Sequence, residues 1–147
     1  MIVEDATETS PTLFYNDADQ HVAKMVETRI ANTNSPWLAG VEVGDVYAIP
    51  VSHGEGKFVV TDEEFAELRD NGQIFSQYVD FDGKPSMDSK YNPNGSVNAI
   101  EGITSKNGQI IGKMGHSERY EDGLFQNIPG NKDQHLFRSA VEYFTKA

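Results

Sequence analysis

The chain has 147 residues, a formal net charge of −11, a hydrophobic share of 37% and no cysteine. This is one domain's worth of polypeptide, able to bury a core. Lys and Arg total 12 against 23 Asp and Glu, which argues against a nucleic-acid backbone as partner, and the absence of cysteine excludes disulfides, thiolate-held zinc and iron–sulfur clusters from these residues.

No apolar run reaches the roughly 18 residues that would read as a membrane span, so no membrane partner is expected. The opening Met1-Ile2-Val3-Glu4-Asp5 has neither the basic nor the apolar region of a signal peptide, and the cytoplasm is the expected compartment. Residues 1–20 are acidic and polar, with Pro11-Thr12-Leu13-Phe14-Tyr15 as the only apolar knot, and read as a lead-in loop. Residues 21–31 read as a strand, because Val22, Val26 and Ile30 share one parity and the stretch is rich in β-branched side chains. A helix is the alternative, since Val22, Met25, Val26 and Arg29 also suit helical spacing.

Asn32-Thr33-Asn34-Ser35-Pro36 ends that element by turn chemistry, and Pro36 opens a single helical turn carrying Trp37, a core anchor. Residues 41–45 form a short edge or a turn. Residues 46–52 read as a strand, placed at an edge or near its end by Pro50. In His53-Gly54-Glu55-Gly56-Lys57-Phe58 two glycines alternate with charged residues. Either the backbone is approached closely there, or the segment is an ordinary hairpin loop.

Thr61-Asp62-Glu63-Glu64 is a capping box and predicts a helix of about two turns, with Phe65 and Leu68 inward and Asn71-Gly72 as its stop. Residues 74–79 read as a strand and residues 81–85 as a turn. The following stretch ends in Tyr91-Asn92-Pro93-Asn94-Gly95-Ser96, a rigid turn able to offer polar groups to a ligand, or else a plain surface loop. Two β-rich runs around Ser105-Lys106-Asn107-Gly108 predict a hairpin. Residues 121–129 are loop. A final helix is expected with Asn131 as N-cap and Gln134 at its third position, its stripe of Leu136, Phe137, Ala140, Val141 and Phe144 packed in the core.

The chemistry concentrates just after the hairpin, at Gly112-Lys113-Met114-Gly115-His116-Ser117-Glu118-Arg119. In an extended backbone residues i and i+2 point the same way, so Glu118 would orient the His116 ring: a base and its orienter, two-thirds of a nucleophilic triad. The residues leave three readings open: a Ser/His/Glu hydrolase, part of a cysteine enzyme whose nucleophile lies elsewhere, or no catalysis. None of Ser10, Ser35 and Ser52 stands in a nucleophile-elbow pattern. His21, His53, His116 and His135 are too scattered to imply a metal site, and no phosphate-loop, dinucleotide or zinc spacing is present.

The segment Met114 to Arg119 resembles the C-terminal end of a class I glutamine amidotransferase domain. More closely, the ordered blocks His53-Gly54-Glu55-Gly56-Lys57-Phe58, Asn92-Pro93-Asn94-Gly95-Ser96 and Gly112 through Arg119, with Ser35-Pro36-Trp37-Leu38, look like the glutaminase domain of the phosphoribosylformylglycinamidine synthase family. The resemblance implies an α/β fold: part of a three-layer, flavodoxin-like domain with a β-hairpin and a C-terminal helix. It implies that His116 activates a cysteine thiol and Glu118 orients it, and that the loops of His53, Gly54, Glu55, Asn92, Asn94 and Ser96 lie near the glutamine site or its interface with the synthase part. The commoner family pattern has proline on both sides of the histidine, where this chain has Gly115 and Ser117.

The family's nucleophile elbow lies upstream of every block present. Residues 1–147 are therefore expected to be the C-terminal portion of such a domain, lacking the nucleophile-elbow half and inactive alone. The implied activity is the glutaminase step of an ATP-dependent ligase that makes formylglycinamidine ribonucleotide in purine biosynthesis, with glutamine and a synthase domain or subunit as partners. ATP and magnesium are implied for the synthase, and no cofactor for this chain. A non-catalytic domain that docks on a synthase partner is the alternative. Either way, exposed apolar surface is expected.

Overall fold

The structure, a computed structural model, describes residues 6–8 and 10–146. The opening at Met1 to Asp5, on which the signal-peptide reading rests, lies outside the described residues. Strands β1 (Thr12–Phe14), β2 (Val22–Ile30), β3 (Val46–His53), β4 (Lys57–Val59), β5 (Ile74–Tyr78), β6 (Ile100–Thr104) and β7 (Ile111–Lys113) are joined by helices α1 (Asp62–Asp70) and α2 (Leu136–Phe144). Five strands form one antiparallel sheet in the order β3-β2-β5-β6-β7, and β1 pairs with β4 in a separate two-stranded ribbon.

The nine-residue β2 is a strand because its β-branched side chains alternate: Val26, Thr28 and Ile30 are buried on one parity while the backbone pairs with β3 from Val22 to Arg29. Neighbours in β5 enter different parts of the core. Ile74 packs in the cluster of Leu68 from α1, and Phe75 in that of Leu136 from α2, so the helices cover opposite faces of the sheet. The capping box holds α1 as expected: Thr61 Oγ1 accepts from the Glu64 N–H at 3.2 Å and Glu64 Oε2 accepts from the Thr61 N–H at 3.1 Å. Asn71 is its C-cap, and Gly72 follows with φ +65°.

Pro50 does lie in an outer strand. On the open side of β3, the Ala48 N–H donates to the Asn131 carbonyl at 2.7 Å, and the Pro50 carbonyl accepts from the His116 N–H at 2.8 Å.

Three expectations need correction. The apolar knot in the lead-in is a strand, β1, paired through its backbone to β4, while Leu13 and Phe14 stay exposed. With no buried alternation, nothing in the side-chain pattern marks it. Helix α2 begins at Leu136 rather than just after Asn131, because the Asn131 carbonyl is committed to β3 and its side chain accepts from the Asp133 N–H. Only Leu136 and Ala140 of its apolar stripe are buried, and Phe137, Val141 and Phe144 are exposed. The helix lies along the 3₁₀ turn Pro36–Leu38, where Leu38 is buried and the half-buried Trp37 meets Phe137 and Phe144 edge-on at 6.4 Å. Trp37 Nε1 donates to the Gln109 carbonyl at 2.9 Å, which fastens the β6–β7 hairpin to this corner.

Candidate active site

The loop after β7 is fixed by its backbone. The Met114 N–H donates to the Glu101 carbonyl at 3.0 Å, the Gly115 N–H to Glu101 Oε1 at 2.6 Å, and the His116 N–H to Pro50. The chain then enters the 3₁₀ turn Ser117–Arg119, with His116 at φ −90° and ψ 81°. His116 Nδ1 and Glu118 Oε1 stand 2.6 Å apart. The pair anticipated from an extended backbone thus exists, but a tight turn brings its members together rather than the alternation of a strand.

The His116 side chain is 22% exposed and that of Glu118 53%. Burial pushes the Glu118 carboxyl up. Its own backbone N–H, the His116 ring and Arg119 outweigh this and hold it below its ordinary value. A carboxylate that stays charged beside Nδ1 holds the proton there and leaves Nε2 as the basic nitrogen. His116 Nε2 is buried and has no hydrogen-bond partner among the described residues. The ring borders an open cavity of about 260 Å³, walled by Trp37, Ile111, Gly115, Leu136 and Phe137 among others.

His53, from the end of β3, stacks on His116 with centroids 4.8 Å apart and donates through Nε2 to the Met114 carbonyl. Gly54 and Glu55 follow at the surface. The Gly54 carbonyl accepts from the Asn16 N–H, and Asn16 in turn bonds the His53 carbonyl and the Gly56 N–H. The segment is not a hairpin, since β4 leaves to pair with β1. Close approach is the reason for Gly56, where a Cβ would stand 2.5 Å from Asn94 Nδ2.

Asn92, Asn94 and Ser96 are fully buried. Asn92 bonds the Ser96 backbone in both directions at 2.8 and 3.0 Å, Asn94 Nδ2 donates to the Tyr78 hydroxyl at 3.2 Å, and Ser96 Oγ accepts from the Phe58 N–H at 3.0 Å. The turn braces the His53 loop, and the His53 ring braces the His116 loop. The three sequence blocks are contiguous in space, with His116 and Glu118 at the open end. Among the described residues no group of three or more His, Asp or Glu is placed to hold a metal ion.

Residue patterns give no functional role to Glu101, to Lys113 within the histidine block or to Gln134, read only as a helix-start residue, yet these three frame the His116 loop. Lys113 Nζ lies 3.3 Å from Glu101 Oε1 and donates to Ser117 Oγ at 2.9 Å and Gln134 Oε1 at 3.1 Å. The signal for Glu101 is a charge within the apolar run Ile100-Glu101-Gly102-Ile103.

Over residues 2–144 the chain matches the CobB/CobQ-like glutamine amidotransferase domain. The phosphoribosylformylglycinamidine synthase subunit PurQ of Thermomicrobium roseum is 37% identical over 121 residues, covering 82% of this chain and 50% of the relative. Its namesake in Aquifex aeolicus is 37% identical over 109 residues, 74% of this chain and 47% of the relative. That of Methanosarcina mazei is 30% identical over 145 residues, 99% and 60% respectively. The chain spans about half the length of the first curated relatives it matches. The solved structure of PurLQS from Thermotoga maritima superposes with a TM-score of 0.67 at 24% identity, over 92% of this chain and 53% of that one. That likeness carries the fold, which is the amidotransferase-like α/β arrangement.

Proposed function

The chain belongs to the CobB/CobQ-like glutamine amidotransferase family, and from that premise we propose that it is the histidine-bearing part of the glutaminase of a phosphoribosylformylglycinamidine synthase. The observation that carries this reading is the 2.6 Å contact between His116 Nδ1 and Glu118, with Nε2 buried and unpartnered among the described residues and His116 lining a cavity. No cysteine is among the 147 residues, so the thiol comes from a polypeptide segment outside them.

His116 Nε2 takes the thiol proton while Glu118 holds Nδ1–H and stabilises the imidazolium. The thiolate adds to the carboxamide carbon of glutamine. The imidazolium returns its proton to the departing nitrogen, ammonia leaves, and a thioester remains. Water, deprotonated by the same ring, adds to the thioester and releases glutamate and the thiol. Ammonia passes to a synthase partner that uses ATP and magnesium to convert formylglycinamide ribonucleotide to its amidine; no residue of this chain is assigned to either. The cytoplasm, where ATP is at hand, is the proposed compartment. A serine hydrolase finds no support, because among the described residues no hydroxyl bonds His116 Nε2.

The exposed apolar side chains of β1 and α2 favour a second reading, a domain that only docks on a synthase. One experiment separates the two. The 147-residue chain is assayed for glutamate release from glutamine, alone and combined with the synthase and the cysteine-bearing polypeptide of the same cell. Release that requires the combination and is lost in H116A is the expected result. Release at an enzymatic rate by the chain alone, or release by the assembly that H116A leaves unchanged, overturns the proposal. An assembly that forms without glutaminase activity leaves docking as the function.

A further inference from the structure

Glu101 takes no part in the chemistry above, yet its side chain is wholly buried. Oε1 accepts the Gly115 N–H and faces Lys113 Nζ, while Oε2 is buried without a hydrogen-bond partner among the described residues. A carboxylate withdrawn from water and half satisfied is a poor device for stability, since an apolar pair of similar volume often folds as well or better. What the charge provides here is geometry. Glu101 holds two successive amides of the histidine loop, Met114 with its carbonyl and Gly115 with its carboxylate.

Lys113 extends the same hold to the far side of the histidine. It reaches Ser117 Oγ and Gln134 Oε1, and Ser117 Oγ donates to Gln134 Oε1 at 2.5 Å. His116 is therefore bracketed at Gly115 and at Ser117 by one connected network. Gly115 is part of the fit: a Cβ there would stand 2.8 Å from Glu101 Oε1 and 2.6 Å from Ile49 Cγ2.

We propose that Glu101, acting through the Gly115 amide and through Lys113 to Ser117 and Gln134, is a positioning residue that sets the His116 ring for proton transfer. The proposal rests on the glutaminase reading above and assigns part of that site's geometry to a buried ion pair outside it.

The test uses E101A, E101Q and G115P, with the E101A/G115P double variant. They are assayed in the assembled glutaminase and, as the 147-residue chain with ¹⁵N-labelled histidine, followed by the His116 ring resonances. E101A is expected to lower kcat about tenfold with KM nearly unchanged, as for loss of alignment rather than of binding. It also shifts the His116 ring signals. E101Q keeps an oxygen for the Gly115 N–H and recovers most of both. Proline at 115 has no N–H and crowds the carboxylate. G115P therefore costs more in the wild-type background than in the E101A background, by about tenfold if the two positions are coupled.

A purely structural ion pair would lower the melting temperature and leave kcat per folded molecule and the ring signals untouched. That result, or a G115P effect independent of residue 101, overturns the proposal. If E101A does not fold, the G115P resonances decide: His116 ring signals at wild-type positions overturn it. If the wild-type assembly releases no glutamate, the glutaminase reading has failed, and the ring resonances still report whether Glu101 holds the loop.

Discussion

The rings of His53 and His116 lie 13° from parallel with centroids 4.8 Å apart. The Met114 carbonyl can only accept, so His53 Nε2 carries a proton and the tautomer of that ring is set. Burial pushes the His53 pKa down, the bond to Met114 pulls it up, and the neighbouring His116, Arg119 and His21 push it down again. The net result lies below the ordinary 6.5. A neutral imidazole is thus stacked against the proposed base, and protonating it would place a positive charge beside the ring proposed to receive a proton.

The fold therefore becomes less stable on acidification through this group. Between 6.5 and the lowered folded value the unfolded chain binds more protons than the native one, so stability rises with pH across that window. The contribution is complete above 6.5 and is lost as pH falls through the folded value. Urea unfolding of the wild type and H53N at steps from about pH 7.5 to about 5 reads it directly, and H53N should show a shallower slope there.

Removing the proposed base or its proposed orienter should act on rate and not on folding. H116A in the active assembly is expected to lose roughly 10³-fold or more in kcat, and E118A about 10²-fold, the usual scale for general acid–base groups. Glu118 is half exposed, so E118A should change unfolding free energy by no more than ~0.5 kcal/mol. Steady-state kinetics beside thermal unfolding separates these effects.

Behind the site, Asn94 is braced between Tyr78 and Gly56. N94A leaves the buried Tyr78 hydroxyl without its 3.2 Å donor and should cost ~1–3 kcal/mol. G56A drives a methyl into the same amide. Chemical denaturation of both variants and the pair checks this, and the double variant should lose less than the sum because both changes act on one contact.

The cap of α1 makes a separate prediction far from any chemistry. T61A deletes the hydroxyl that accepts from the Glu64 N–H and should cost ~1 kcal/mol. Far-UV circular dichroism during thermal unfolding is the measurement, with glutaminase activity at low temperature unaffected.

What is legible in the residues follows the range of the forces involved. Thr61 and Glu64 are legible because a capping box is a four-residue event. Strand β2 is legible because β-branched side chains alternate within it. The contact of Glu118 with His116 is anticipated through the wrong local geometry, since spacing alone does not separate a strand from a 3₁₀ turn. The His53 stack, the Glu101 carboxylate under Gly115 and the Asn94 brace depend on residues distant in sequence meeting, which periodicity does not encode. β1 is hidden because its backbone pairs while Leu13 and Phe14 remain outside. The start of α2 is displaced from its expected place because Asn131 serves β3 instead.

Pro50 joins these themes. It sits on the sheet's outermost strand, where unpaired backbone would invite strands of other molecules to add on. It offers no N–H of its own, and its carbonyl is capped by the His116 amide, with Asn131 covering Ala48 alongside. The loop that carries the proposed base is therefore also a seal on the sheet's margin. A substitution that frees this loop should cost both turnover and solubility, and aggregation on storage would accompany loss of catalysis even where melting curves look ordinary.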